Sequence, residues 1–206
     1  MQTPLTAAVI AGGASRRMGA DKRLMPVDGV PLLLRVLAVV QPLAAETLLA
    51  TARAHPLPRG FLAGLAVRLV EDRIENGGPL AGIEASLLGA RHDLVLVVGG
   101  DHPWLQAGVL ELLVAEAAAR ADVAAVVLGG PRGPEPLLAV YRRAARPTLT
   151  RLLDAGERRA GRLLEELPTA VLPELRWRPL DPQARSLVNL NTPADAGHPD
   201  SGPMTR

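Results

Sequence analysis

Two rhythms alternate along this chain. Short runs that are apolar at nearly every position are followed by longer stretches whose apolar residues recur at helical spacing. The short runs, at residues 7–10, 47–50, 66–70, 94–98, 123–128 and 137–141, read as strands. Residues 94–98 are apolar throughout, the pattern of a central parallel strand covered on both faces. Helices are predicted in between. Pro31 suits the first turn of one that carries Leu34, Val36, Leu37 and Val40. A second spans residues 80–91 after Gly77-Gly78-Pro79, and a third spans residues 106–120 with Val109, Leu110, Leu113 and Val114 toward the sheet. Residues 146–167 read as two short helices around Gly156 and Gly161, and residues 187–191 as a late strand.

Strand followed by helix, repeated, predicts an α/β fold: a single-domain, doubly wound, mostly parallel sheet with helices on both faces. Right-handed crossovers then gather the strand-end loops along one edge, where such sheets bind ligands. The predicted domain covers residues 1–195. The tail, residues 196–206, is rich in Gly and Pro and is expected to be mobile.

Composition narrows the chemistry. The 206 residues contain no Cys, which excludes disulfides, thiolate metal sites and a cysteine nucleophile. With 23 basic against 21 acidic residues and no basic run, nothing points to nucleic acid. No stretch approaches the about 18 apolar residues of a membrane span. The opening Met1-Gln2-Thr3-Pro4 lacks the charge of a signal peptide, so a cytoplasmic protein is expected. Aromatic residues make up only 2%, so the core is aliphatic. Lys22 is the only lysine; every other basic residue is Arg. The two are interchangeable on a solvated face but not where a compact ammonium must fit among phosphate oxygens. Lys22 is therefore a candidate functional residue before any motif is considered.

Four segments carry further candidates. The first strand runs into Ala11-Gly12-Gly13-Ala14-Ser15-Arg16-Arg17-Met18-Gly19-Ala20-Asp21-Lys22. Glycines let backbone N–H groups converge on an anion, and Arg and Lys add positive charge for a polyphosphate. The spacing is neither the dinucleotide fingerprint nor the P-loop. Asp101, in Gly99-Gly100-Asp101-His102-Pro103 just past the most apolar strand, stands where a ligand of a hard ion such as Mg²⁺ is expected; capping the next helix is the alternative. His102 reads as a solvated loop residue. Glu71-Asp72 precedes a Gly-rich turn, Asn76-Gly77-Gly78-Pro79-Leu80-Ala81-Gly82, whose backbone can lie against a base or ribose. In Asn189-Leu190-Asn191-Thr192-Pro193 strand alternation puts both Asn side chains on one face.

Taken in order, these segments resemble the nucleotidyltransferase fold and, more closely, the molybdenum cofactor guanylyltransferase (MobA-type) family. The resemblance is carried by Ala11-Gly12-Gly13, Arg17-Met18-Gly19, Asp21-Lys22, Gly29-Val30-Pro31-Leu32, Glu71-Asp72, Gly78-Pro79-Leu80-Ala81-Gly82, Asp101 with Pro103, Ala155-Gly156-Glu157-Arg158-Arg159 and Asn189-Leu190-Asn191-Thr192-Pro193. It implies Mg²⁺-dependent transfer of GMP from GTP to the terminal phosphate of molybdopterin, with release of diphosphate. It further implies guanine contacts through the backbone of Ile10, Ala11 and Gly12. The phosphates would be wrapped by Gly13, Ser15, Arg17 and Gly19 and neutralised by Lys22. Asp72, Gly78 and Gly82 would lie at the nucleoside, and Asp101 would hold the metal. Asn189 and Asn191 would line the acceptor side, with Asn191 a second metal contact. Lys22, Asp101 and Arg17 are then the catalytic set, and transient contact with proteins that make or receive the cofactor is implied.

Two positions depart from the family pattern. Ala50-Thr51-Ala52-Arg53 stands where the guanylyl enzymes often carry an Asn, and Asp101 is flanked by Gly100 and His102. The residues alone leave open a cytidylyltransferase for a related acceptor, and a non-catalytic nucleotide-sensing module.

Overall fold

The computed structural model describes residues 4–12 and 21–190. A seven-stranded sheet forms its centre. In chain order the elements are β1 (Leu5–Ile10), a two-residue hairpin of β2 (Pro26–Val27) and β3 (Val30–Pro31), α1 (Leu32–Val40), β4 (Glu46–Thr51), β5 (Arg68–Glu71), α2 (Gly78–Gly89), β6 (Leu94–Gly99), α3 (Ala107–Ala119), β7 (Ala125–Gly130), β8 (Gly133–Arg142), α4 (Arg146–Asp154), α5 (Ala160–Glu166), β9 (Thr169–Leu172) and α6 (Glu174–Trp177). Across the sheet the order is β5-β4-β1-β6-β8-β7-β9. Only β8 runs against the others.

The chain leaves β1 toward β4 and β5, then returns to place β6 on the other side of β1. That reversal is the switch point at which doubly wound sheets open a crevice beyond the carboxyl ends of their strands. Ile10 and Gly99 are register partners there, and the Gly100 N–H donates to the Ile10 carbonyl over 2.9 Å.

Two apolar layers cover the sheet. Ala7 and Val9 of β1, with Leu94, Leu96 and Val98 of β6, face α1 and α3. Ala8, Ile10, Val95 and Val97 face α2, α4 and α5. Strand alternation thus explains why residues 94–98 are apolar at every position: each side chain enters one core or the other. Among the described residues no helix is long and apolar enough to cross a membrane.

One predicted element is absent. Residues 187–190, the described part of the predicted late strand, do not form a strand; a 3-10 turn, Arg185–Leu187, stands at the start of this stretch. The buried Asp181 carboxylate accepts the N–H groups of Arg185 and Ser186 at 2.9 and 2.8 Å, and Ala184 adopts a left-handed φ of 52°. This local capping outcompetes a ladder. Beyond it the Leu190 N–H donates to the Asp101 carbonyl at 2.9 Å, while its side chain enters a small core with Val27 and Leu32.

Candidate active site

The carboxyl edge at the switch point assembles residues from four parts of the chain. Asp21 caps the 3-10 turn Lys22–Leu24 by accepting the Arg23 N–H at 3.0 Å, and its carboxylate also takes a forked bond from the Arg23 guanidinium. This fixes the backbone from which Lys22 extends. The Lys22 ammonium reaches the Asp101 carboxylate, Nζ to Oδ2, at 3.1 Å. The Asp101 side chain remains 32% exposed, open enough to meet a ligand.

Gly12 is placed where the first strand leaves the sheet. A Cβ there would come within 2.8 Å of Asp72 Oδ2, so any larger residue would force the Asp72 carboxylate to move. The strand exit is fixed by the Ala11 N–H, which donates to the Ala50 carbonyl at 2.8 Å. Asp72 is anchored by its own N–H to the Thr51 carbonyl at 3.2 Å. Its Oδ1 is buried and has no hydrogen-bond partner. Burial pushes the Asp72 carboxyl up to about 6. A desolvated acceptor without a donor is a costly feature in a fold and is suited to a ligand hydroxyl or amide.

The Gly-rich turn divides into two parts. Gly78 opens α2 with φ +65°, and its Cα lies against the Arg158 carbonyl, which a Cβ would meet at 2.9 Å. Gly78 is exposed. The reading of Gly82 as a nucleoside contact is corrected. Gly82 is buried, and a Cβ there would meet Ile10 Cγ2 at 2.6 Å. Its small size lets α2 close onto β1; it offers no surface to a ligand.

His102 is also corrected. It is 3% exposed instead of solvated. Its Nδ1 lies 2.9 Å from the Ser186 carbonyl, and its Nε2 is 3.7 Å from Asp101 Oδ1. Burial holds its pKa below the ordinary histidine value. Asn189 follows the 3-10 turn, and its Oδ1 is buried without a hydrogen-bond partner. Gly13, Ser15, Arg17, Gly19 and Asn191 lie outside the described residues.

A further device was not read from the sequence. Glu84, 1% exposed and the only charged residue of α2, accepts from Arg73 at 3.0 Å and from Thr150 at 2.7 Å. Arg73 also reaches Asp154 at 2.9 Å. This cluster, with Glu84 buried and Arg73 and Asp154 exposed, pins the loop that carries Asp72 onto α2 and α4.

The doubly wound sheet, with Lys22 and Asp101 paired across its switch-point edge, is that of a nucleotidyltransferase. The chain belongs to the MobA-like NTP transferase family, whose domain model matches residues 7–171. A protein of Chloroflexus aggregans described as a probable molybdenum cofactor guanylyltransferase is 38% identical, over 91% of this chain and 89% of that one. A protein of Deinococcus radiodurans with the same description is 37% identical, over 93% and 92%. The crystal structure of molybdopterin-guanine dinucleotide biosynthesis protein A from Archaeoglobus fulgidus superposes with a TM-score of 0.80 at 28% identity, covering 95% of this chain and 96% of that one.

Proposed function

We propose that the chain transfers the GMP moiety of GTP to the terminal phosphate of molybdopterin and releases diphosphate. The names of the relatives support the substrates. The observation that carries the chemistry is the Lys22–Asp101 pair at the carboxyl edge.

The donor set fits a divalent ion. Asp101 offers a partly exposed carboxylate, and among the described residues no cluster of three or more His, Cys, Asp or Glu forms a closed cage. One carboxylate completed by phosphate oxygens and water is the usual setting of Mg²⁺. Asp101 would hold it, and Mg²⁺ supplies offsetting charge to the triphosphate and to the departing diphosphate.

The other residues then have positional roles. Lys22 balances the triphosphate charge as a compact cation. Gly13, Ser15, Arg17 and Gly19 wrap the phosphates. Ile10, Ala11 and Gly12 face the base through their backbone, while Asp72 and Gly78 meet the nucleoside. Asn189 and Asn191 face the acceptor. The acceptor phosphate is already an anion at neutral pH, so it needs no strong base. It attacks the α-phosphorus in line, the bond to the β-phosphate oxygen breaks, and no covalent intermediate forms. The protein's task is to hold two polyanions in one geometry. A cytoplasmic location, and brief contact with proteins that make or receive the cofactor, belong to the same proposal.

Diphosphate release from each nucleoside triphosphate, with and without molybdopterin, tests it. Release is expected with GTP and only with molybdopterin present. Equal or faster release from CTP would make the chain a cytidylyltransferase, and none from any triphosphate would make it a sensing module.

A further inference from the structure

The structure gives the position after Asp101 a specific setting. His102 is buried beneath the site, not extended into solvent. A carbonyl oxygen only accepts, so the 2.9 Å contact with Ser186 requires His102 Nδ1 to carry a proton and donate it. In the neutral ring Nε2 then keeps its lone pair. That nitrogen lies 3.7 Å from Asp101 Oδ1. Both atoms lie over the α-carbon of Gly99, where a Cβ would meet Asp101 Oδ1 at 2.8 Å and His102 Nε2 at 3.0 Å. An anionic oxygen and a nitrogen lone pair therefore share one small cradle that a glycine keeps open.

A cation placed between these two atoms would be held by both. A metal-bound histidine commonly donates its other ring N–H to a backbone carbonyl, and the Ser186 carbonyl fills that place for His102 Nδ1. Ser186 is itself fixed: Asp181 accepts its N–H at 2.8 Å, and its hydroxyl accepts the Gln106 N–H at 3.0 Å. The ring is thus oriented from behind by a rigid turn.

We propose that His102 Nε2 is a second protein ligand, beside Asp101, of the divalent ion this site takes. This rests on the reading of Asp101 as the metal carboxylate. Sharing one ion requires the 3.7 Å gap to close by less than about 1 Å, since ligand distances are about 2.0–2.2 Å. An imidazole nitrogen in the shell favours Mn²⁺ and its neighbours over Mg²⁺, which prefers oxygen alone. The site therefore discriminates between metals more strongly than an aspartate with phosphates and water would.

The test is pulsed electron paramagnetic resonance of Mn²⁺ bound to the protein with GTP, using protein whose histidines carry ¹⁵N and nucleotide of natural abundance. A ¹⁵N coupling from directly bound imidazole is expected. It should vanish in His102→Leu, and calorimetry should show the ratio of Mn²⁺ to Mg²⁺ affinity falling about ten-fold in that variant. The labelled wild type answers the question even where the variant fails to fold. Bound Mn²⁺ without a histidine coupling, or a coupling that persists in folded His102→Leu, overturns the proposal. Asp101→Asn separates the two readings. Mn²⁺ affinity unchanged by that variant removes Asp101 as the carboxylate ligand. Affinity lost in that variant, with no nitrogen coupling in the wild type, removes His102 alone.

Discussion

The Lys22 ammonium and the Asp101 carboxylate lie 3.1 Å apart, so the chain's only lysine closes onto the acid at the end of its central strand. An arginine would set a longer, planar, forked cation in the same place, and its geometry matches neither the single carboxylate oxygen nor a triphosphate bend. Lys22→Arg is therefore expected to keep its melting temperature and lose about 10- to 100-fold in kcat/KM for GTP. Steady-state kinetics beside a melting curve decide it, and near-wild-type turnover would remove the claim. Because Lys22 is the only lysine, an amine-reactive reagent followed by mass mapping also reads its accessibility directly, and GTP is expected to protect it.

Asp72 gives the site a pH signature. Its carboxyl is raised from 3.8 to about 6 by burial. A group whose folded pKa exceeds its unfolded value contributes stability that is complete below 3.8 and is lost as pH rises through about 6. Asp72→Asn, which removes the charge, should be more stable than wild type near pH 7.5 by about 1 kcal/mol, a figure discounted for the solvent that still reaches the group. The gap should close below about pH 4. The same variant should bind GTP less well. Melting curves at the two pH values check the first point; a gap that does not change with pH contradicts it.

Gly12 and Gly82 separate site from scaffold. Gly82→Ala drives a Cβ toward Ile10 Cγ2, 2.6 Å away, and is expected to cost about 1–3 kcal/mol by overpacking while each folded molecule stays active. Gly12→Ala presses on Asp72 Oδ2, 2.8 Å away, and should lower activity more than stability. Paired denaturation and activity measurements distinguish them, and a reversed ranking would show that the two glycines exchange roles.

GTP should raise the melting temperature more than CTP at equal concentration. Ligand binding to the folded state stabilises it by about 2.7 kcal/mol at one hundred times Kd, which a thermal-shift assay resolves easily. Equal shifts would remove guanine preference.

The strands and the first three helices were legible because strand alternation and helical spacing leave separate traces. Residues 94–98 announced the central strand, and the ligand edge followed from topology. The two short helices within residues 146–167 were legible as well, whereas β2, β3, β9 and α6 left no trace. β9 has four residues between Pro168 and Pro173, too few for a pattern. The late strand read from Leu187 onward fails because Asp181 captures the backbone amides locally. Residue type and place single out Lys22 and Asp101 in the sequence, and the structure brings the two within 3.1 Å. The burial of His102 leaves no such trace, since it depends on Ser186, 84 positions away. The sequence does not separate the two settings of Gly82, because a glycine in the second turn of a helix looks the same whether it faces a ligand or a strand. Glu84 reads as an ordinary helix acid until Arg73 and Thr150 are brought beside it.

The most direct measurement is diphosphate release from GTP and molybdopterin, titrated with Mg²⁺, for wild type and Asp101→Asn. Asp101 supports little of the core, since its side chain is 32% exposed and sits past the end of β6. The variant is therefore expected to melt as wild type does. It should lose turnover by about 10² or more at every Mg²⁺ concentration wild type needs, the scale of removing one principal electrostatic stabiliser. Turnover like that of wild type at the same Mg²⁺ would show that the metal is held elsewhere, and a variant that unfolds would make Asp101 a structural cap.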